Sequence, residues 1–172
     1  MKLINSLILI VLIFSSCSSS EKYDVIIRNG SIIDGSGSPA RVGDIGIMSD
    51  SIAIIGDLKK ARGRTEIDAT GMTVAPGFIN MLSWAVESLI EDGRSMSDIC
   101  QGATLDVLGE GDSWGPWSES MKREMLSSQG DIKYDIEWTT LGEYLEYLEN
   151  KGVSTNIASF VGTCTVRIHT VG

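Results

Sequence analysis

The sequence predicts an α/β protein in two parts, a small β-rich part over residues 23–75 and an alternating strand–helix part over residues 76–172. Three observations support this prediction. Short β-branched runs separated by glycine-containing turns fill the first part. The breaker Pro76-Gly77 then ends that pattern. Strand-like and helix-like segments alternate after it, which predicts parallel strands.

The composition is that of an acidic globular chain. The 172 residues carry a formal net charge of −9, and 42% of them are hydrophobic. Phosphate binding needs a basic face, and the sequence has no basic run, so nucleic acid is disfavoured as a partner. Cys17, Cys100 and Cys164 match neither a zinc knuckle nor a CxxC redox motif.

Residues 1–16 have the layout of a signal peptide, with a basic start, an apolar run and small residues at its end. Cys17 follows those small residues, which resembles a bacterial lipoprotein box. The resemblance implies cleavage before Cys17 and acylation of its thiol, with residues 17–22 as a lipid-anchored tether. We therefore expect an exported protein anchored to a bacterial membrane, in the periplasm or at the cell surface. An ordinary secretory signal with an incidental cysteine is the alternative.

Residues 23–75 predict the strands of one part of a small β-sandwich. Asn29-Gly30 lies between two β-rich runs and predicts a hairpin turn. Ser49-Asp50 predicts a second turn, between strands at residues 43–48 and 51–55. Short strands at residues 64–68 and 72–75 complete this part.

Residues 76–172 predict three strands with helices between them. The helix at residues 140–149 is the clearest, because leucines recur at helical spacing and Gly152 follows. Residues 83–90 are ambiguous between a loop and a helical turn, and residues 162–167 are predicted to form a loop after the third strand. The strands are predicted at residues 78–82, 104–108 and 154–161, and the two other helices at 96–101 and 118–127.

Three segments, VAPGFIN, QGATLDVLGEGDSWGP and NIASFVGTCTVR, resemble the amidohydrolase superfamily, specifically its N-acyl-D-amino-acid deacylase (D-aminoacylase) branch. This resemblance implies an N-terminal half-sandwich followed by the first βα units of an amidohydrolase (β/α)8 barrel. The barrel would be incomplete, since a whole one takes about 250 residues. The implied reaction is hydrolysis of non-peptide amide C–N bonds in N-acyl-D-amino acids, with zinc as the cofactor. The fragment alone is expected to be inactive.

The residues at the implied metal site depart from that family. Where the family has two histidines flanking one residue on the first barrel strand, this chain has Leu82 and Trp84, which we expect to face inward from that strand. Where the family has a cysteine ligand after the second strand, it has Gly111. A carboxylate can ligate zinc, so Glu110 is the candidate metal ligand, with bracing of the loop as the alternative. Zinc is expected for the family and in doubt for this chain.

Trp84, Trp114 and Ser113 are predicted to line a substrate pocket for a small-molecule N-acyl amino acid. The tryptophans could equally pack the core. His169 is interpreted as a structural residue, because a lone histidine is more often structural than a metal ligand. Cys164 is also interpreted as structural, with a role as a thiol ligand or a nucleophile as the alternative. The missing histidines leave a second function open, that of a non-catalytic surface lipoprotein that binds acylated amino acids.

Overall fold

A computed structural model describes residues 22–172 and divides the chain into two compact units, one ending at Pro76 and the other running from Gly77 to Gly172. The predicted signal peptide and Cys17 lie outside the described residues. None of the helices in the described part of the chain is long and apolar enough to span a bilayer.

The first unit contains one five-stranded sheet. Its order is β3-β2-β1-β4, with β5 also paired to β1. Strands β1, β2 and β3 are antiparallel neighbours, whereas β4 and β5 run parallel to β1. The predicted turn at Ser49-Asp50 is confirmed, and Ser49 has a φ of 53° there. The strands are β1 (Tyr23–Ile32), β2 (Arg41–Met48), β3 (Ser51–Gly56), β4 (Gly63–Asp68) and β5 (Thr73–Val74).

The hairpin predicted at Asn29-Gly30 is wrong, because these residues form a bulge inside the single strand β1. The pairing with β2 shifts between Ile27 and Gly30, and Asn29 has a φ of 59°. Asp44 on β2 lies opposite and accepts a hydrogen bond from the Asn29 backbone N–H at 2.9 Å. The buried Asp44 carboxylate therefore satisfies the donor that the bulge frees, and the chain continues as a strand.

The same Asp44 carboxylate joins the bulge to the rest of the unit. Its second oxygen accepts from the Leu58 N–H at 3.0 Å and lies 3.6 Å from the Arg28 guanidinium. Arg28 donates to the carbonyls of Leu58 and Ala61 and pairs with Glu66 at 2.9 Å. Because Arg28 is mostly buried, it stabilises the unit only while all of these acceptors are present to compensate its charge.

The second unit contains a three-stranded sheet in the order β6-β7-β8, with all strands parallel. The predicted parallel arrangement and the α/β class are thus confirmed. The second layer of a sandwich and the closing strands of a barrel are not among the described residues, and both stay predictions. The elements are β6 (Phe78–Asn80), α1 (Val86–Glu91), α2 (Met96–Ile99), β7 (Ala103–Leu108), α3 (Glu119–Ser128), α4 (Leu141–Lys151), β8 (Asn156–Ser159) and α5 (Thr163–Val171).

The core of this unit packs α1 and α4 against β7. Helix α4 begins with a complete capping box, in which Thr140 accepts from the Glu143 N–H and Glu143 accepts from the Thr140 N–H. The buried members of the core are Val86, Leu89, Ile90, Leu108, Trp138, Tyr144 and Leu148. The Trp138 indole N–H, the Tyr144 hydroxyl and the Asp106 carboxylate are buried without a hydrogen-bond partner among the described residues.

The loop predicted over residues 162–167 is wrong, because Thr163–Val171 form helix α5. Six of its nine residues are β-branched, a composition that disfavours a helix. Contacts with the loop after β7 hold the helix instead. The Cys164 N–H donates to the Gly111 carbonyl at 3.0 Å, and Thr165 is bonded to Ser113.

Candidate functional site

A cavity of about 460 Å3 lies beside the carboxyl ends of β6 and β7, the edge of a parallel sheet where such folds place their sites. The segment after β6, the loop after β7, α3 and α5 each contribute to its walls. Its volume is in the range of small-molecule sites. The lining residues are Trp84, Val86, Glu87, Asp112, Ser113, Trp114, Trp117, Met121, Glu124, Met125, Ser128, Thr165 and Ile168.

Ser113 is the structural centre of the loop after β7. Its hydroxyl donates to the Gly115 carbonyl at 2.6 Å, and its backbone N–H donates to Thr165 Oγ1 at 2.8 Å. Its carbonyl accepts from the Trp117 indole N–H at 3.0 Å and from the Thr165 hydroxyl at 3.1 Å. Ser113 is buried, and its hydroxyl is already engaged with the backbone. Its side chain therefore braces the cavity wall, and within residues 22–172 its hydroxyl has no hydrogen bond to a side chain that could act as a base.

Trp114 connects the cavity to an aromatic cluster behind it. Its ring centroid lies 5.2 Å from that of Trp117, 5.3 Å from Tyr134 and 5.5 Å from Tyr144. These tilted rings fix the position of Trp114. Trp84, in the segment after β6, is 66% exposed and forms no aromatic pair with another residue of the described part of the chain. The cavity thus has one rigid aromatic wall and one free tryptophan.

The charged residues that line the cavity are all acidic: Glu87, Asp112 and Glu124. Glu87 accepts a hydrogen bond from the Tyr134 hydroxyl at 3.0 Å. Burial and the Glu87 carboxylate raise the pKa of the Tyr134 phenol, so the phenol stays protonated and donates to the carboxylate. The cavity therefore presents negative charge next to aromatic surface.

The residues present do not form a zinc site of the family type. Strand β6 ends at Asn80, whose side chain accepts from the Leu82 N–H, so Leu82 and Trp84 follow the strand instead of continuing it to residue 82 as predicted. Neither side chain has a metal-donor atom, and Gly111 has no side chain. Among residues 22–172, no three histidine, cysteine or acidic side chains come together in a way that could hold a metal ion.

Glu110, the predicted metal ligand, is exposed and does not line the cavity. Its role in metal binding stays a prediction. The other predicted site residues, Trp84, Trp114 and Ser113, are brought together by the fold as lining residues of one cavity. Their role towards a substrate likewise stays a prediction.

Two residues interpreted as structural, Cys164 and His169, are both exposed on α5. Sequence reasoning missed Thr165 and Ile168 as cavity residues because it missed α5 itself. The signal available in the sequence was the pair of apolar residues Val166 and Ile168 close to Thr165. Their spacing fits a strand as readily as a helix.

The sequence comparisons place the chain near deacylases, although no family model matches it. It is 33% identical over 156 residues to a D-aminoacylase from Alcaligenes xylosoxydans xylosoxydans, covering 88% of this chain and 31% of that protein. It is 32% identical over 146 residues to an N-acyl-D-aspartate deacylase from the same organism, covering 84% of this chain and 29% of that protein. The chain thus spans about a third of the length of the curated relatives it matches.

The fold comparison agrees. The N-acyl-D-glutamate deacylase from Bordetella bronchiseptica, solved with zinc and a phosphonate inhibitor that mimics the tetrahedral intermediate, matches with a TM-score of 0.73 and 30% identity. That match covers 88% of this chain and 32% of the solved chain. Over about a third of their length, this chain is a homologue of the D-aminoacylase group of amidohydrolases.

Proposed function

We propose that the protein is an amidohydrolase-type hydrolase that acts on amide C–N bonds of N-acyl amino acids, including N-acyl-D-amino acids. The observation that supports the proposal is the 33% identity with a D-aminoacylase across 88% of this chain. The position of the cavity at the carboxyl ends of β6 and β7 adds to it, because amidohydrolase-like folds place their sites there. In this proposal β6, β7 and β8 are the opening strands of a (β/α)8 barrel.

The residues that line the cavity would bind substrate in this reaction and would not hold the metal. Trp114 supplies a fixed apolar wall, Trp84 can close over a bound group, and Ser113 keeps the loop in place. Such walls orient a substrate and exclude water from the reacting bond. Zinc does not fit the donors at residues 82, 84 and 111, so no step through a metal is assigned to these residues.

The missing donors favour a second candidate function, a non-catalytic surface lipoprotein that binds acylated amino acids. Leu82 and Trp84 replace donor atoms with apolar surface at the position where the family pattern expects ligands. A protein that only binds its ligand would keep the cavity and have no use for the metal. This candidate requires ligand binding without turnover.

One experiment separates the two candidates. The protein is expressed from its whole reading frame, and its bound metal is measured by mass spectrometry. Binding of N-acetyl-D- and N-acetyl-L-amino acids is measured by calorimetry, and release of the free amino acid is followed. Turnover of the D-substrates supports the hydrolase. Binding without turnover overturns it and supports the binding protein.

Glu110→Gln tests the proposed ligand in the same preparation, with Glu137→Gln as a control for the loss of one exposed charge. If Glu110 ligates the metal, its variant loses metal and the control retains it. Equal metal content in both variants would reject Glu110 as a ligand.

We also propose export and acylation at Cys17, which rests on the signal-like residues 1–16 and the small residues before the cysteine. Cells supplied with a fatty-acid analogue should label the wild-type protein in the membrane fraction. Cys17→Ser should lose the label, and Cys100→Ser should keep it. Equal labelling of the Cys17 variant and the wild type would reject the anchor.

A further inference from the structure

The cavity of the second unit combines aromatic surface with negative charge. Trp84, Trp114 and Trp117 line it together with the carboxylates of Glu87, Asp112 and Glu124, and no lysine, arginine or histidine is among its lining residues. The face of an indole ring attracts a cation through its quadrupole. A carboxylate near such a ring adds to the attraction.

The basic residues near the cavity do not line it. Lys122 lies on α3 between two cavity residues, yet its ammonium group donates to Thr139 Oγ1 at 2.8 Å and pairs with Glu119 at 3.3 Å. Arg123 and Arg167 are exposed and do not line the cavity. The three acidic side chains therefore have no ion-pair partner among the described residues.

A small inorganic cation does not suit this arrangement. The carboxylates of Glu87, Asp112 and Glu124 do not come together in a group able to hold a metal ion. The cavity that they line has a volume of about 460 Å3 and is bounded partly by Met121, Met125 and Ile168. A cation with an apolar surface fits both features, because its charge is spread over carbon-bound hydrogens that contact indole faces.

We infer that this cavity binds the cationic group of an organic ammonium ligand. This inference rests on the proposed function in one respect, that the cavity is the substrate pocket. In that setting it names the substrate class as N-acyl amino acids that carry a positively charged side chain. An acidic side chain would meet three carboxylates in the same space and be repelled. The acidic substrate named for the matched N-acyl-D-aspartate deacylase is therefore disfavoured here.

Three ligands of nearly the same shape test the inference: tetramethylammonium, neopentyl alcohol and pivalate. They differ in charge, being cationic, neutral and anionic. Binding to the intact protein is followed by NMR through the shifts of the tryptophan indole N–H signals. Tetramethylammonium should bind about tenfold tighter than neopentyl alcohol, and pivalate should bind least.

Two exposed positions give the informative variants, so folding is retained. Trp84→Ala removes the free indole, and Glu124→Gln removes one carboxylate. Each should weaken tetramethylammonium binding about fivefold and leave neopentyl alcohol binding within about twofold. Glu91→Gln removes an exposed charge outside the cavity and should change neither.

Equal affinity for the cation and the alcohol would overturn the inference, and so would preferred binding of pivalate. Loss of cation binding in Glu91→Gln equal to that in Glu124→Gln would also overturn it, because the effect would then be one of net charge. The proposed function fails separately. Tetramethylammonium binding without hydrolysis of any N-acyl amino acid rejects only the hydrolase, whereas hydrolysis that prefers acidic side chains, without cation binding, rejects only the ammonium site.

Discussion

Thr165→Val should destabilise the second unit by removing one pair of hydrogen bonds between α5 and the loop after β7. Valine keeps the branched shape of threonine, so packing changes little. The buried Ser113 N–H loses its acceptor, which lies at 2.8 Å in the wild type. The Ser113 carbonyl keeps its bond from the Trp117 indole at 3.0 Å.

The expected cost follows from that difference. One buried donor is left unsatisfied, which costs about 1–3 kcal/mol, while the carbonyl stays satisfied. We expect the free energy of unfolding to fall by about 2 kcal/mol. Thr170→Val is the matched control on the same helix, since it removes a hydroxyl bonded to the Val166 carbonyl in an exposed turn. It should change the free energy by less than about 0.5 kcal/mol.

Urea unfolding monitored by tryptophan fluorescence measures this difference. The signal reports the second unit alone, because all four tryptophans of the chain lie within residues 77–172. The slope of the transition should be the same in both variants, so that a shift in its midpoint reports a change in the free energy of unfolding. If Thr165→Val costs no more than Thr170→Val, the bonds between α5 and the loop do not hold the helix as argued.

Three further outcomes are expected. Gly111→Ala should cost about 1 kcal/mol from its left-handed φ of 78°, whereas Gly109→Ala, at a φ of 87°, should cost at least about 2 kcal/mol more because an added Cβ meets the segment after β8. Equal losses of unfolding free energy in urea for the two variants would refute the proposed clash at residue 109. Tyr144→Phe removes a buried hydroxyl without a partner among the described residues, so stability should stay unchanged or rise by about 1 kcal/mol; a clear loss would reveal a partner. Hydrogen bonds from Arg94 lower the pKa of Asp92 from 3.8 to about 2, so its contribution to stability is complete above about pH 4 and is lost as the pH falls towards 2. Arg94→Gln should raise that pKa in an NMR titration, and an unchanged pKa would contradict this cause.

Local chemistry made part of the fold predictable from the sequence. The turn at Ser49-Asp50 and the helix that begins after Thr140 follow from signals contained within a few residues. Asn29-Gly30 misled because the residue that decides between a turn and a bulge is Asp44, on another strand. For Trp84 and Trp114 sequence reasoning left a pocket and core packing open; both residues line one cavity, and their role towards a substrate stays a prediction.

Helix α5, which forms one wall of the cavity, could not be predicted for a related reason. The β-branched residues of α5 indicate a loop or strand by propensity, and the helix depends on distant partners such as Gly111 and Ser113. The loss of the two histidine ligands was nevertheless visible in the sequence. The residues around them keep the spacing of the family pattern, and Leu82 and Trp84 occupy the two histidine positions.

Helix α5 has a consequence for access to the cavity. A helix supported mainly by contacts from a neighbouring loop, with little propensity of its own, opens at a lower free energy than the core around it. Its amide hydrogens should therefore exchange with solvent ahead of those of β7, the strand that leads into the opposing loop of the cavity. When the two hydrogen bonds between Thr165 and Ser113 break, the wall of the cavity that α5 forms is released from the loop after β7.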